Sequence, residues 1–275
     1  MNGSDTIAPR PAKLLPHVDK LVTSVGAAWP GTRAVFRGHD LHKDLPGIAW
    51  FDLCALGATG HRLSPQQRQL MEAIWVWTSY PDARIWNNRV AALGGTARTT
   101  PTLALAAANA VSEATIYGRR NEFKALAFFK RVHARMQEGA TLAQALDEHL
   151  RTQGKLPGYG RPIAAHDERI PPTMKLAREL GVADGPHVTL AFEIERHLKE
   201  LGKPLQMNLG ALVSAFGADF GFTPREFNLY CFAGFTGGMQ PVYLEAADKP
   251  PGSVFPTPVG SVAYSGVGRR EWPGA

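Results

Sequence analysis

Residues suited to chemistry cluster in one stretch of this 275-residue chain, Pro157-Gly158-Tyr159-Gly160-Arg161-Pro162, followed closely by His166-Asp167-Glu168-Arg169. Glycines on both sides of Tyr159 allow backbone angles and close contacts that larger residues forbid, so Gly158, Tyr159 and Gly160 are expected to form a turn that a ligand could approach closely, with a simple surface turn as the alternative. Arg161 carries a planar guanidinium that can clamp a carboxylate with two hydrogen bonds or stabilise an oxyanion. Upstream, Asn121 follows Arg119 and Arg120 and can donate a hydrogen bond to an oxygen on which charge grows. Lys155, Arg119 and Arg120 are candidates for phosphate groups, with an ordinary solvated basic face as the plainer alternative.

Composition narrows the classes of function. A formal net charge of +6 favours an anionic partner, but no long Lys/Arg block points to nucleic acid or a membrane surface. The hydrophobic content of 44% fits a soluble globular protein with one large core or two domains sharing a cleft. The longest apolar run, residues 102–117, is interrupted by Asn109, Ser112 and Glu113 and is too short for an ordinary membrane span. The first residues lack the continuous apolar segment of a secretory signal, so a cytoplasmic location is expected. Cys54 and Cys231 are far apart and sit beside apolar residues, as reduced core thiols would. The histidines form no ligand spacing with Cys, Asp or Glu, and no metal is expected. A P-loop, a dinucleotide fingerprint and a Gly-x-Ser-x-Gly elbow are all missing from the sequence, which disfavours nucleotide hydrolysis, hydride transfer and serine hydrolase chemistry.

The elements that must position these residues read as helices. Ser64-Pro65-Gln66-Gln67 predicts a capped helix start ahead of Leu70, Ile74 and Trp77. Thr100-Pro101 opens a second helix, with Leu103, Ala107, Val111 and Ala114 on one face and alanines permitting close contact. Thr141 with Gln144, Thr223-Pro224 with Glu226, and the series Val188, Ala191, Ile194, Leu198, Leu201 mark three more. Strand signals are thin: only residues 32–36 read as a short strand, and a central sheet is not expected. Residues 1–30 are polar and proline-punctuated enough for partial disorder. The last thirty residues, with Pro250, Pro251, Pro256 and Pro258, predict an extended arm.

Several segments, in order, resemble the citrate synthase superfamily, especially its short bacterial members related to citryl-CoA lyases. Residues 36–41 (FRGHDL) are similar to its early Arg-Gly motif, residues 50–63 to the following helix and turn, and residues 82–89 (DARIWNNR) to its central helix. Gly118-Arg119-Arg120-Asn121 stands where the family has Gly-Pro-Leu-His, and Pro157 to Arg161 where it has Pro-Gly-Tyr-Gly-His. Residues 203–210 (KPLQMNLG) resemble the segment bearing the catalytic aspartate, and Tyr264-Ser265-Gly266 with Arg269 the C-terminal arm.

The resemblance implies an all-α fold with a large helical domain (1–118 and 211–275) and a small one (119–210) closing over a cleft. It also implies a homodimer. The family's aspartate removes a proton beside the thioester of an acyl-CoA, one histidine holds the enol oxygen, and another polarises the keto-acid carbonyl. In this chain Asn121 and Arg161 stand at the histidine positions, and Leu209 or Gly210 at the aspartate. Ser79 stands at a further substrate-binding histidine. The expected substrates are therefore an acyl-CoA, with coenzyme A as its carrier, and a carboxylate-bearing small molecule. Asn121, Arg161 and His166 are the expected catalytic residues, and Arg169, Asn208 and Arg269 the expected substrate ligands. Gly158, Tyr159, Gly160 and Lys155 are assigned to the cofactor. His166, Asp167 and Asp219 are the candidate bases, none at the family's position. The alternative reading is a non-catalytic CoA-binding protein that kept the fold.

Overall fold

The computed structural model describes residues 16–19, 21–115, 118–160, 166–203, 205–254 and 258–272. Two compact units divide at Ser64 and Pro65.

The first unit contains a three-stranded antiparallel sheet, β1 (Gly26–Trp29), β2 (Arg33–Phe36) and β3 (His39–Asp40), and helix α1 (Trp50–Thr59). Here the sequence reading needs correcting: residues 32–36 do form a strand, but it has two partners, and β1 lies inside the segment expected to be partly disordered. The turns explain why the hairpins escaped notice. Pro30, Gly31 and Thr32 join β1 to β2, with Thr32 N–H donating to the Trp29 carbonyl at 3.0 Å. Arg37 and Gly38, at φ 50° and 87°, join β2 to β3. Two positive φ values in succession are what a two-residue hairpin with right-handed strand twist requires, and arginine fills a place usually held by Asn or Asp. The Arg37 side chain steadies the turn by donating to the Gly57 carbonyl in α1 at 2.7 Å.

The second unit is helical: α2 (Pro65–Thr78), α3 (Trp86–Thr96), α4 (Pro101–Val111), α5 (Arg119–Gln137), α6 (Leu142–Gln153), α7 (Ile170–Glu179), α8 (Pro186–Glu200), α9 (Leu209–Asp219), α10 (Pro224–Phe232) and α11 (Met239–Asp248). Two of the expected capping boxes are present as read, Thr141 with Gln144 at α6 and Thr223 with Glu226 at α10. Each satisfies two otherwise orphaned donors at a helix start. Helix α9 is buried along nearly its whole length and packs against α5 and α8, which makes it the axis of this unit.

Two helix faces differ from expectation. In α4 the core face is Ala104, Ala108 and Asn109, while Leu103 is 65% exposed. The small side chains face inward because α3 approaches so closely that a Cβ on Gly94 would stand 2.5 Å from that of Ala104. In α2 the core residues are Leu70, Met71, Ile74 and Trp75, with Trp77 only half-buried. Residues 258–272 carry a short 3₁₀ turn, Val259–Ser261, and are otherwise without regular secondary structure and exposed. No helix among the described residues is long and apolar enough to cross a membrane.

Candidate functional site

The first turns of α5 and α9 meet. At the start of α5, Gly118 adopts φ 76°, and a Cβ there would lie 2.1 Å from the Ser112 carbonyl oxygen. Only glycine lets the chain turn so tightly off the end of α4. Arg119 N–H then donates to that same carbonyl at 2.9 Å. The α9 end is capped by Asn208, whose Oδ1 accepts from Ala211 N–H at 3.1 Å. Ser214 of α9 donates to the backbone carbonyl of Glu122 at 3.1 Å, tying the two helices together.

The glycine loop is stitched to the approach to α9. Gly160 N–H donates to the Gln206 carbonyl (2.7 Å) and Asn208 N–H to the Gly158 carbonyl (2.9 Å), flanking a bridge between Tyr159 and Met207. Gly158, at φ 88°, rests against Ala211, where a Cβ would come within 2.4 Å of the alanine's own. Tyr159 turns inward: its hydroxyl donates to the Ala191 carbonyl at 2.8 Å, and its ring meets Phe128 and Phe129 edge-on. Burial drives that hydroxyl's pKa well above its ordinary value, so the tyrosine anchors the loop as a neutral core residue.

Beside α9, the buried carboxylate of Asp167 holds Arg169 through two bonds of 2.8 Å and accepts Leu209 N–H at 2.9 Å. Burial works against the charge on Arg169, but the hydrogen bond and field of Asp167 outweigh it and raise the pKa of the guanidinium. Arg169 also lies 5.7 Å from the centre of the Tyr80 ring. Tyr80 lines a small pocket with Ser79, Asn87, Asn88 and Phe235.

The residues singled out from the sequence fall into distinct places. Asn121, Asn208, Gly158, Gly160 and Arg169 belong to the segments that meet around the starts of α5 and α9. Arg161 lies outside the described residues. His166 is exposed, one residue before the buried Asp167, and Lys155 is exposed at the entrance to the glycine loop. Arg269 is exposed on the C-terminal segment. Asp219 accepts His187 N–H (2.9 Å), Val188 N–H (3.0 Å) and the His187 ring (2.7 Å), serving as a cap for α8. Arg119 is turned away from any surface phosphate: it is 1% exposed, stacks over Phe232 and pairs with Glu113. Burial lowers its pKa, against the pull of Glu113.

One residue of the site was not singled out at all. Glu122 follows Asn121 in the first turn of α5, where an acidic residue ordinarily complements the positive end of the helix dipole. Its side chain instead points inward, with Cγ 3.7 Å from where a Cβ on Gly210 would stand. Oε2 is shut off from solvent and has no hydrogen-bond partner among the described residues. Burial pushes this carboxyl up to about 7, although Arg119 and Arg169 pull it down. The available signal was a single acid two positions after a pair of arginines, with Asn121 between, and before an apolar residue, Phe123.

Comparison with known proteins shows the fold. A citryl-CoA lyase from Hydrogenobacter thermophilus superposes with a TM-score of 0.79 at 21% identity, covering 92% of this chain and 97% of that one. An ATP citrate lyase from Methanosaeta concilii, a D541A mutant in complex with (3S)-citryl-CoA, gives 0.72 at 17% identity over 94% of this chain and 45% of its own. A citrate synthase from Thermoplasma acidophilum, with carboxymethyl coenzyme A and oxaloacetate, gives 0.60 at 15% identity over 82% and 59%. No family model and no curated protein matches the chain. The fold is therefore the helical one expected from the motifs.

Proposed function

We propose that this protein forms or cleaves a carbon–carbon bond beside the thioester of an acyl-CoA, with a keto acid or related carbonyl compound as the other partner. The observation that supports this most is the meeting of two helix starts, α5 and α9, with the rigid Asp167–Arg169 pair. In either direction of such a reaction an electron pair moves onto the thioester oxygen. A site with preorganised donors and positive helix ends favours that charge without reorganising at the moment of reaction.

In this reading the Asn121 amide donates to the thioester oxygen. Arg169, held in one orientation by Asp167, takes a carboxylate of the second substrate, and Arg161 joins it or faces the developing oxyanion. Asn208 keeps the glycine loop on α9 through its 3.3 Å bond to the Gly160 carbonyl. Coenzyme A enters as part of the substrate, and its phosphates are assigned to exposed cations, Lys155 and Arg120, in place of the buried Arg119. The reading includes a lobe of residues 119–210 closing on one built from 1–118 and 211–275, and a homodimer in which Arg269 of one copy enters the cleft of the other.

The test follows free thiol and keto acid when purified protein receives acetyl-CoA with oxaloacetate or, in the opposite direction, (3S)-citryl-CoA. Turnover in one direction is expected, and Asn121→Ala should lower it by about 100-fold, the usual loss on removing one oxyanion donor. Silence in both directions, across a panel of acyl-CoAs and 2-keto acids, overturns the proposal.

A further inference from the structure

Buried carboxyl groups in folded proteins are almost always hydrogen-bonded or paired, because an unpartnered one incurs its full desolvation penalty. The other acids considered for this site obey that rule. Asp167 is engaged by Arg169 and Leu209, and Asp219 by the first turn of α8. Glu122 departs from it: among the described residues its buried Oε2 has no partner, although the backbone of the same residue is fixed to α9 by Ser214.

A structural role explains this poorly. An acid serving the α5 dipole would sit in solvent or accept a backbone N–H of the first turn, and Oε2 does neither. The side chain instead runs beside Gly210, a residue with no side chain of its own, with Cγ 3.7 Å from where a Cβ on that glycine would stand. The charged and titratable groups around it come from three directions: Arg119 on its own helix, Arg169 ahead of α7, and the buried thiol of Cys231 on α10. With burial opposing the two cations, the carboxyl comes out at about 7, where it exchanges a proton readily under physiological conditions.

The geometry points to Glu122 as the catalytic acid–base group of this site, moving the proton at the carbon beside the thioester. The inference rests on the carbon–carbon bond chemistry proposed above. In enolisation the α C–H bond breaks, its proton passes to the Glu122 carboxylate, and its electron pair moves through the C–C bond onto the thioester oxygen. In the cleavage direction the protonated Glu122 returns that proton to the α carbon as the enolate collapses. Neither step needs a metal or a redox partner.

The deciding measurement is exchange of the α hydrogens of acetyl-CoA with solvent deuterium, which reads proton abstraction apart from bond formation. Glu122→Gln is expected to lower exchange and turnover by about 100-fold or more while coenzyme A binding, measured by calorimetry, stays within about twofold. In the smaller variant Glu122→Ala, added formate should restore part of the exchange. Exchange by the unaltered protein should rise with pH around a midpoint near neutrality. Undiminished exchange in Glu122→Gln overturns the assignment while leaving the proposed reaction standing. No exchange and no turnover in the unaltered protein overturns both. Should Glu122→Gln fail to fold, the pH profile of the unaltered protein decides: a midpoint near neutrality supports the role, and a flat profile from about pH 5 to about pH 9 refutes it.

Discussion

Two helix starts in the same unit treat a carboxyl group in opposite ways. At α8, Asp219 accepts two backbone N–H groups and the His187 ring, so its charge is matched on every side. At α5, the Oε2 of Glu122 is equally sheltered and has no partner among the described residues. The same functional group is a fastener in one position and a poised proton carrier in the other. Satisfaction of hydrogen bonds, more than burial, separates the two roles.

That contrast can be tested through stability, and the largest effect belongs to the fastener that adjoins the site. Arg169→Ala should destabilise the protein by about 3 kcal/mol, because it strands the buried Asp167 carboxylate without its bidentate partner. Denaturant midpoints would measure the loss, and a change below about 0.5 kcal/mol would mean that the pair is not a fastener at all.

Glu122→Gln should act in the opposite sense. The folded-state pKa lies near 7, above its ordinary value of 4.5, so the native state binds the proton more tightly than the unfolded chain does. The associated stability is fully present below about pH 4.5 and is lost as pH rises through about 7. Glutamine, neutral throughout, should therefore stabilise the fold by about 2–3 kcal/mol at about pH 8 and by almost nothing near pH 4.5. Thermal melts at the two pH values check the sign. A variant less stable than the parent at the higher pH would erase the contrast.

Asp219→Ala should cost about 2 kcal/mol, since it removes a cap that serves two N–H groups and a histidine. Acyl-CoA turnover per folded molecule should be unchanged. The smallest effect is expected at the exposed capping box of α10, where Thr223→Ala should cost about 1 kcal/mol. If Thr223→Ala and Asp219→Ala proved equal, the buried cap would be no more than an ordinary one.

Much of the scaffold could be read without coordinates, and the failures share a cause. Capping boxes and Pro-initiated helix starts are local signals, and at α6 and α10 they marked the first turn correctly. The hairpins were missed because their turns use Pro-Gly and Arg-Gly in place of the usual Asn-Gly. The α4 face was rotated because periodicity favours Leu103, whereas close approach of α3 favours alanine. Within the site, Asn121, Arg169, Asn208 and the glycine loop were singled out by motif, but the motif could not say that Tyr159 faces the core. Nor could it distinguish Arg119, sealed beneath Phe232, from its exposed neighbour Arg120.

Sequence alone determined that this chain is helical, where several of its helices begin, and which fold its motifs resemble, since those properties depend on neighbours within a turn or two. Tertiary structure alone decided which acids are satisfied. Glu122 and Ser214 stand 92 positions apart in the chain, and only their packing brings the Glu122 side chain beside Gly210 with its Oε2 sealed from solvent. Whether a carboxyl is fastened or poised depends on solvent access and on donors from distant segments, and a linear sequence specifies neither.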